Sequence, residues 1–116
     1  MKYLKKTTHK KVGKQVIGSH SRPRLCVTKS NKHIYAQVIN DYKNQTLCAA
    51  STLDPEIRSQ LVTTSTCLAG KLVGHAIATK SIKSSFHSVI FDKRNYPYHG
   101  KIQAVAEAAR EAGLNF

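Results

Sequence analysis

The chain has 116 residues, 41% of them apolar, and its 19 Lys and Arg against six Asp and Glu give a formal net charge of +13. This length suits one domain with its own core, and no apolar run approaches the roughly eighteen residues of a membrane-spanning helix. Such an excess of positive charge repels itself unless a polyanion lies nearby, so nucleic acid or an anionic membrane surface is the expected partner.

The first 23 residues predict a basic, flexible arm. From Met1 to Asn40 there are ten Lys or Arg and no acidic residue, and Gly13 and Gly18 interrupt any helical period. A segment of this composition becomes ordered on a polyanion through its ammonium groups. The arm lysines predicted to contact nucleic-acid phosphates are Lys5, Lys6, Lys10, Lys11 and Lys14.

Residues 24–116 are predicted to form a single globular domain that begins with three strands. The strand-like runs are "RLCVT" (24–28), "HIYAQVIN" (33–40) and "TLCAAST" (46–52). The turn formers "KSNK" and "DYKNQ" separate them, which predicts two hairpins in a meander.

Two helices and one more strand are predicted to follow. A short helical turn begins with Asp54 as its cap and Pro55 at its first position. A longer helix over 65–83 has an apolar stripe, and its glycines permit close packing on a sheet. The stripe consists of Leu68, Leu72, Val73, Ala76 and Ile77, and the glycines are Gly70 and Gly74.

The continuous apolar run "HSVIFD" (87–92) predicts a parallel strand buried on both faces, and a last helix over 101–112 ends before Gly113 at its C-cap. The order of elements is strand, strand, strand, helix, strand, helix. It predicts an α/β fold in which helices pack on a mixed sheet of about four strands.

The residues for catalysis are few, and no enzyme activity, metal or cofactor is expected. Of the six acids, Asp54 and Glu56 belong to a helix start, and Glu107 and Glu111 share an exposed helix face. Only Asp41 and Asp92 remain, which are too few to hold the ions of a two-metal nuclease. The cysteines, Cys26, Cys48 and Cys67, are too widely spaced for a zinc site and suit buried positions. A cysteine nucleophile beside His75, His87 or His99, or His99 as the base of a nuclease or transferase, is a remaining enzyme hypothesis.

Basic and aromatic residues concentrate in two places along the domain. Cations can bind phosphates, planar rings can stack on bases, and a helix start near Gly100 directs free N–H groups at an anion. An alternative is that Tyr96 and Tyr98 plug the sheet edge and His99 caps the helix. The first group is Arg22, Arg24, Lys29, Lys32, His33 and Tyr35, and the second is Lys93, Arg94, Tyr96, Tyr98, His99, Gly100 and Lys101.

A family resemblance covers about residues 20–116. It is carried by the segments "RPRLCVTKSNKHIYAQVIND", "LCAASTLD" and "FDKRNYPYHGKIQAVAEAAREAGLNF". In this order they resemble the bacterial and plastid form of the eighteenth large-subunit ribosomal protein. The resemblance implies a three-layer α/β fold with a mixed sheet.

The same resemblance implies a ribosomal function in a plastid stroma or a bacterial cytoplasm. It implies binding to 5S rRNA, attachment of that RNA to 23S rRNA in the central protuberance, and contact with neighbouring large-subunit proteins that also bind 5S rRNA. Neither a membrane nor a small-molecule substrate is expected. Both groups of basic and aromatic residues are then expected to contact rRNA. The alternative from charge alone is a basic DNA-binding or chromatin-type module.

Overall fold

A computed structural model describes residues 17–19, 21–62 and 66–116, and the elements follow the predicted order. The predicted arm contacts at Lys5, Lys6, Lys10, Lys11 and Lys14 lie outside these residues. The strands are β1 (Arg24–Lys29), β2 (Ile34–Asn40), β3 (Gln45–Ser51) and β4 (Ile90–Asp92). The helices are α1 (Pro55–Arg58), α2 (Cys67–Lys83) and α3 (Lys101–Glu111).

The four strands form one mixed sheet in the order β3-β2-β1-β4. β1, β2 and β3 pair antiparallel as the predicted meander, while β4 pairs parallel to β1, with Cys26 opposite Asp92. The helices pack on this sheet, which confirms the three-layer α/β arrangement. β4 is shorter than predicted, and Ile90 and Phe91 are only half-buried because an edge strand has a neighbour on one side only.

Alternation along β1 divides its side chains between two environments. Leu25 and Val27 belong to the core cluster, together with Val73 of α2 and Val105 of α3. Arg24, Cys26 and Thr28 alternate with these positions and therefore lie on the opposite face of the sheet. Leu25 and Val27 thus face the helices, and the side chains of Arg24, Cys26 and Thr28 face away from them.

The buried face of α2 differs from the predicted stripe at Leu68, which is 57% exposed. The buried positions Ala69, Val73 and Ile77 recur every four residues. Leu68 is one position, or about 100° around the helix, away from that row, so it faces solvent. Val73 and Ile77 were predicted correctly because they lie on the row itself.

The two glycines of α2 permit close packing, but on α3 rather than on the sheet. A Cβ at Gly74 would collide with the backbone carbonyl oxygen of Val105, and one at Gly70 would lie 2.9 Å from that of Lys101. Without side chains at these positions, the backbones of α2 and α3 approach closely. The prediction of a packing role for both glycines was therefore right, and the predicted partner was wrong.

The helix ends match the sequence signals in part. Gly113 has φ +116, and the N–H groups of Gly113 and Leu114 donate to the carbonyls of Arg110 and Ala109, which is a Schellman cap that buries Leu114. Asp54 stands at the N-cap of α1, but its carboxylate accepts a hydrogen bond from the N–H of Ser51 at 3.0 Å rather than from the helix. The predicted capping role of the Asp54 side chain was therefore wrong.

Gly18 belongs to the folded domain, although the predicted arm extended to residue 23. Its N–H donates to Oδ2 of Asp41 at 2.7 Å, and its carbonyl accepts the N–H of Asp41 at 3.0 Å. A Cβ at position 18 would collide with the backbone nitrogen of Arg24. Pro23 is buried and its carbonyl accepts the N–H of Ile90 at 2.9 Å. Gly18 and Pro23 thus both hydrogen-bond to residues of the domain, within the segment predicted as the arm.

Candidate nucleic-acid interface

Tyr96 brings the two predicted groups of basic and aromatic residues together. Its hydroxyl donates to the carbonyl of Lys29 at 3.0 Å and accepts the N–H of Lys29 at 3.3 Å. The Lys29 ammonium also lies 5.4 Å from the centre of the Tyr96 ring. Because β4 ends at Asp92, Tyr96 pairs with the last residue of β1 where no strand remains. Tyr96 therefore packs at the sheet edge, which was the alternative interpretation of this residue.

The loop that carries Arg94 has a fixed backbone. Arg94 has φ +63, a conformation that side chains rarely adopt, and its N–H donates to Oδ1 of Asp92 at 2.9 Å. The other carboxylate oxygen of Asp92 accepts from Nη1 of Arg24, also at 2.9 Å. Asp92 thus links the buried Arg24 side chain to the backbone of the loop and fixes the position of Arg94.

Arg24 is a correction to the predicted set of rRNA contacts. Its side chain is fully buried, and its guanidinium pairs with Asp41 through Nε at 2.9 Å and Nη2 at 3.0 Å. Nη1 takes Asp92 as a second partner. The Arg24 side chain has no exposed surface to offer an RNA phosphate, and its two carboxylates compensate the burial of the cation. Asp41 and Asp92, the two acids to which the sequence assigned no role, are therefore the partners of Arg24.

Asp41 is held ionised by this network. Burial by itself raises the pKa of its carboxyl, but hydrogen bonds from Arg24 and the Gly18 N–H, together with the Arg24 charge, outweigh that effect. The net result is a pKa below the ordinary value of 3.8.

Tyr98 combines packing with exposure. Its ring stands edge-on to Phe91, with centroids 6.2 Å apart, and its hydroxyl accepts from Nη1 of Arg110 at 3.2 Å. Phe91 in turn stacks on Phe116 at 5.5 Å. The side chain is nevertheless 39% exposed, so part of its ring is available to a base. Arg110 was not predicted as a site residue, because nothing in the sequence indicates that this helix arginine contacts Tyr98.

The first hairpin presents its cations at the surface. Lys29 and Lys32 are exposed, and His33 is half-buried, with Nδ1 at 3.0 Å from Oγ1 of Thr52. The same Thr52 oxygen accepts the N–H of Ile34 at 3.1 Å. Tyr35 is half-buried, and its ring lies 6.4 Å from that of His33.

The start of α3 carries the remaining residues of the second group. Gly100 is the N-cap residue, with φ 59 and ψ −123 and no capping side chain, and the first turn contains no acid. The predicted capping role of His99 is thus wrong, since His99 precedes the cap and is exposed. Lys93 and Lys101 are half-buried, and the exposed Arg22 donates through Nε to the Val89 carbonyl at 3.3 Å.

The described residues contain neither a membrane-spanning helix nor a cluster of metal ligands. None of their helices is long and apolar enough to cross a membrane. Over the same part of the chain, no three His, Cys, Asp or Glu side chains are grouped so that they could hold a metal ion.

The fold and this surface define a small basic α/β protein with cations and aromatic rings among its exposed and half-buried side chains. Comparison with known proteins identifies its family. The sequence model described as "Ribosomal L18 of archaea, bacteria, mitoch. and chloroplast" matches residues 2–116, so the chain belongs to the ribosomal L18 family.

Individual relatives agree with this assignment. "Large ribosomal subunit protein uL18" of Caldicellulosiruptor saccharolyticus is 51% identical over 93% of this chain and 87% of the relative. The protein of the same description from Nostoc sp. is 50% identical over 97% of this chain and 93% of its own. "Large ribosomal subunit protein uL18c" of Porphyra purpurea is 50% identical over 93% and 90%, respectively.

Proposed function

We propose that this chain is a structural constituent of the large ribosomal subunit that binds 5S rRNA and helps attach it to 23S rRNA in the central protuberance. It acts in translation, on the ribosome of a bacterial cytoplasm or a plastid, and catalyses no reaction. Neighbouring large-subunit proteins that also bind 5S rRNA are its protein partners. Membership of the ribosomal L18 family supports the ribosomal role.

The observation that carries the RNA-binding part is the contact between Tyr96 and Lys29. Residues 67 positions apart in sequence are joined there by two hydrogen bonds. As a result, the first hairpin and the loop that carries Arg94 lie next to each other, on a chain with a net charge of +13. Neighbouring cations and aromatic rings suit an RNA with exposed bases.

Individual roles follow from exposure and contacts. Phosphates are bound by Arg22, Lys29, Lys32, Lys93, Arg94 and Lys101, in addition to the arm lysines. Tyr98 presents the exposed part of its ring, while His33, Tyr35 and His99 offer polar ring atoms to ribose or base. Gly100 leaves open space where a Cβ would stand, so RNA can approach the start of α3 closely. Arg24 and Tyr96 support this surface from within the domain.

Titration of the full chain with labelled RNA tests the proposal. We expect 5S rRNA to bind at least tenfold more tightly than a tRNA, and the affinity to fall steeply with salt, as it does when many phosphates are neutralised. Equal affinity for both RNAs would overturn the 5S assignment. Preference for duplex DNA under the same conditions would instead favour the DNA-binding alternative.

A pair of matched variants locates the surface. Lys29→Met removes one exposed cation from the proposed interface, whereas Lys71→Met removes one from the exposed side of α2. Lys29→Met should reduce the slope of log affinity against log salt by about one, and Lys71→Met should leave it unchanged.

A further inference from the structure

The face of the sheet opposite the helices contains a trough with a volume of about 320 Å³. Its floor is formed by Cys26 and Thr28 of β1 and by Gln37 and Ile39 of β2. Residues 44–46, at the turn into β3, form one wall, and Arg94 lines the trough as well. The trough therefore lies beside the loop that carries the second group of predicted rRNA contacts.

The lining combines neutral hydrogen-bonding groups with one cation. Thr28 and Thr46 contribute hydroxyls, and Gln37 contributes an amide that is exposed to solvent. These groups both donate and accept hydrogen bonds, which is the chemistry that reads the edge of a nucleobase. No Asp or Glu lines the trough, so its side chains contribute no negative charge that would repel a phosphate.

The size of the trough fits one nucleotide better than a helix. Its volume is at the small end of the range for ligand pockets, which suits a single nucleotide rather than a helix. Base-specific contacts to RNA are made mainly where an unpaired base is splayed out of the helix. A hydrogen bond from the Arg94 N–H to Asp92 fixes the backbone of Arg94. The Arg94 side chain therefore starts from a fixed position at the side of the trough.

We propose that the trough binds one unpaired nucleotide of the RNA partner. Gln37 and Thr46 hydrogen-bond the base edge, Thr28 contacts the base or ribose from the floor, and Arg94 binds the adjacent phosphate. This inference rests on the proposed function, since the RNA is taken to be 5S rRNA. It adds a pocket for one nucleotide to the cations and aromatic rings of the proposed interface.

Chemical probing of 5S rRNA bases at nucleotide resolution, with and without the full-length protein, tests this assignment. The wild type should protect an unpaired base that becomes reactive again in Gln37→Ala and in Thr46→Val. Each variant should bind about tenfold more weakly, as expected for loss of a base contact. The salt slope should stay unchanged, because neither side chain is charged. The control is Gln103→Ala on α3, whose amide contacts Glu107 at 2.8 Å and which should retain the full protection.

The outcomes separate this inference from the proposed function. If the wild type shows no preference for 5S rRNA over tRNA, the proposed function fails. If the preference stands but both variants keep every protected base, the trough assignment fails alone. A uniform loss of protection with a lower salt slope would also overturn it, because that pattern reports a general loss of electrostatic contact.

Discussion

The hydroxyl of Tyr96 closes the sheet edge by bonding both the carbonyl and the N–H of Lys29, at 3.0 and 3.3 Å. β4 ends at Asp92, so the Tyr96 hydroxyl bonds the backbone groups of Lys29 that no residue of β4 reaches. Tyr96→Phe removes the hydroxyl but keeps the ring. We expect the free energy of unfolding to fall by about 1 kcal/mol, the usual loss for two hydrogen bonds at a partly exposed site.

Urea denaturation measures the Tyr96→Phe change, and Tyr42→Phe is its control. Tyr42 is 77% exposed, so removal of its hydroxyl should leave the midpoint in place. Affinity for 5S rRNA should fall for Tyr96→Phe, because Lys29 is no longer held beside the Arg94 loop. Equal stability of both variants would show that the contact is unimportant.

The buried Arg24 network is expected to dominate stability at its end of the sheet. Arg24→Met leaves the carboxylates of Asp41 and Asp92, which are 4% and 7% exposed, without their cation. Removal of one partner from such a group lowers the free energy of unfolding by about 3–5 kcal/mol. Thermal unfolding gives the change.

Two further variants make the Arg24 result specific. Lys80→Met breaks an ion pair with Asp54 at 3.6 Å, whose side chains are 42% and 34% exposed, and a hydrogen bond to the Ala49 carbonyl at 2.8 Å. Because both contacts lie at the surface, we expect a loss of about 1 kcal/mol. Adding Asp41→Asn and Asp92→Asn to Arg24→Met removes the unpaired charges and should recover part of the stability. A loss at Arg24 no larger than at Lys80 would contradict the network.

Acid should weaken the domain through Asp41. The pKa of its carboxyl is lowered in the folded state, so the ionised form stabilises the fold fully above the ordinary value of 3.8. This stabilisation decreases as the pH falls below 3.8 and through the lower folded pKa. Denaturant titrations at several pH values should show this acid-side slope, and Asp41→Asn should make it shallower.

Patterns local in sequence predicted most of the fold. The turn formers separated the three meander strands, and Gly113 marked the end of α3, because each signal concerns residues that lie next to one another in the fold. The apolar run of β4 predicted its parallel pairing. Its short length and half-buried side chains depend on its place at the sheet edge, which no local pattern encodes.

Contacts between distant residues could not be predicted from the sequence. Arg24 and Asp92 are 68 positions apart, and nothing in either local sequence distinguishes a buried arginine from an RNA-binding one. One indirect signal existed, since Asp41 and Asp92 were the acids left without a role. Likewise, Gly18 was interpreted as a helix breaker, whereas its lack of a side chain lets the backbone lie against Arg24.

The sign of the stability change in Gly74→Ala distinguishes the gain in helix propensity from the loss of close packing between α2 and α3. In a free helix, Gly74→Ala would be stabilising by about 1 kcal/mol through helix propensity. Here the added methyl meets the Val105 carbonyl oxygen and forces α2 and α3 apart, so we expect a net loss of about 1–3 kcal/mol. Thermal unfolding measures it, and Lys71→Ala on the exposed side of α2 should change stability by less than about 0.5 kcal/mol. A stabilised Gly74→Ala variant would contradict the close approach.

Two truncations separate the charge of the N-terminal segment from its contribution to the fold. Removal of residues 1–16 eliminates six lysines, so affinity for 5S rRNA and its salt dependence should fall, while the domain unfolds as before. Removal of residues 1–20 also takes away Gly18, whose N–H and carbonyl bond Asp41 and whose backbone lies against Arg24. We expect this longer truncation to bind RNA as weakly as the shorter one and to unfold at lower temperature, because Asp41 loses a hydrogen-bond donor beside the buried ion pair. Circular dichroism melts and gel-shift titrations of both forms measure the two effects, and identical melting temperatures would return the domain boundary to residue 23.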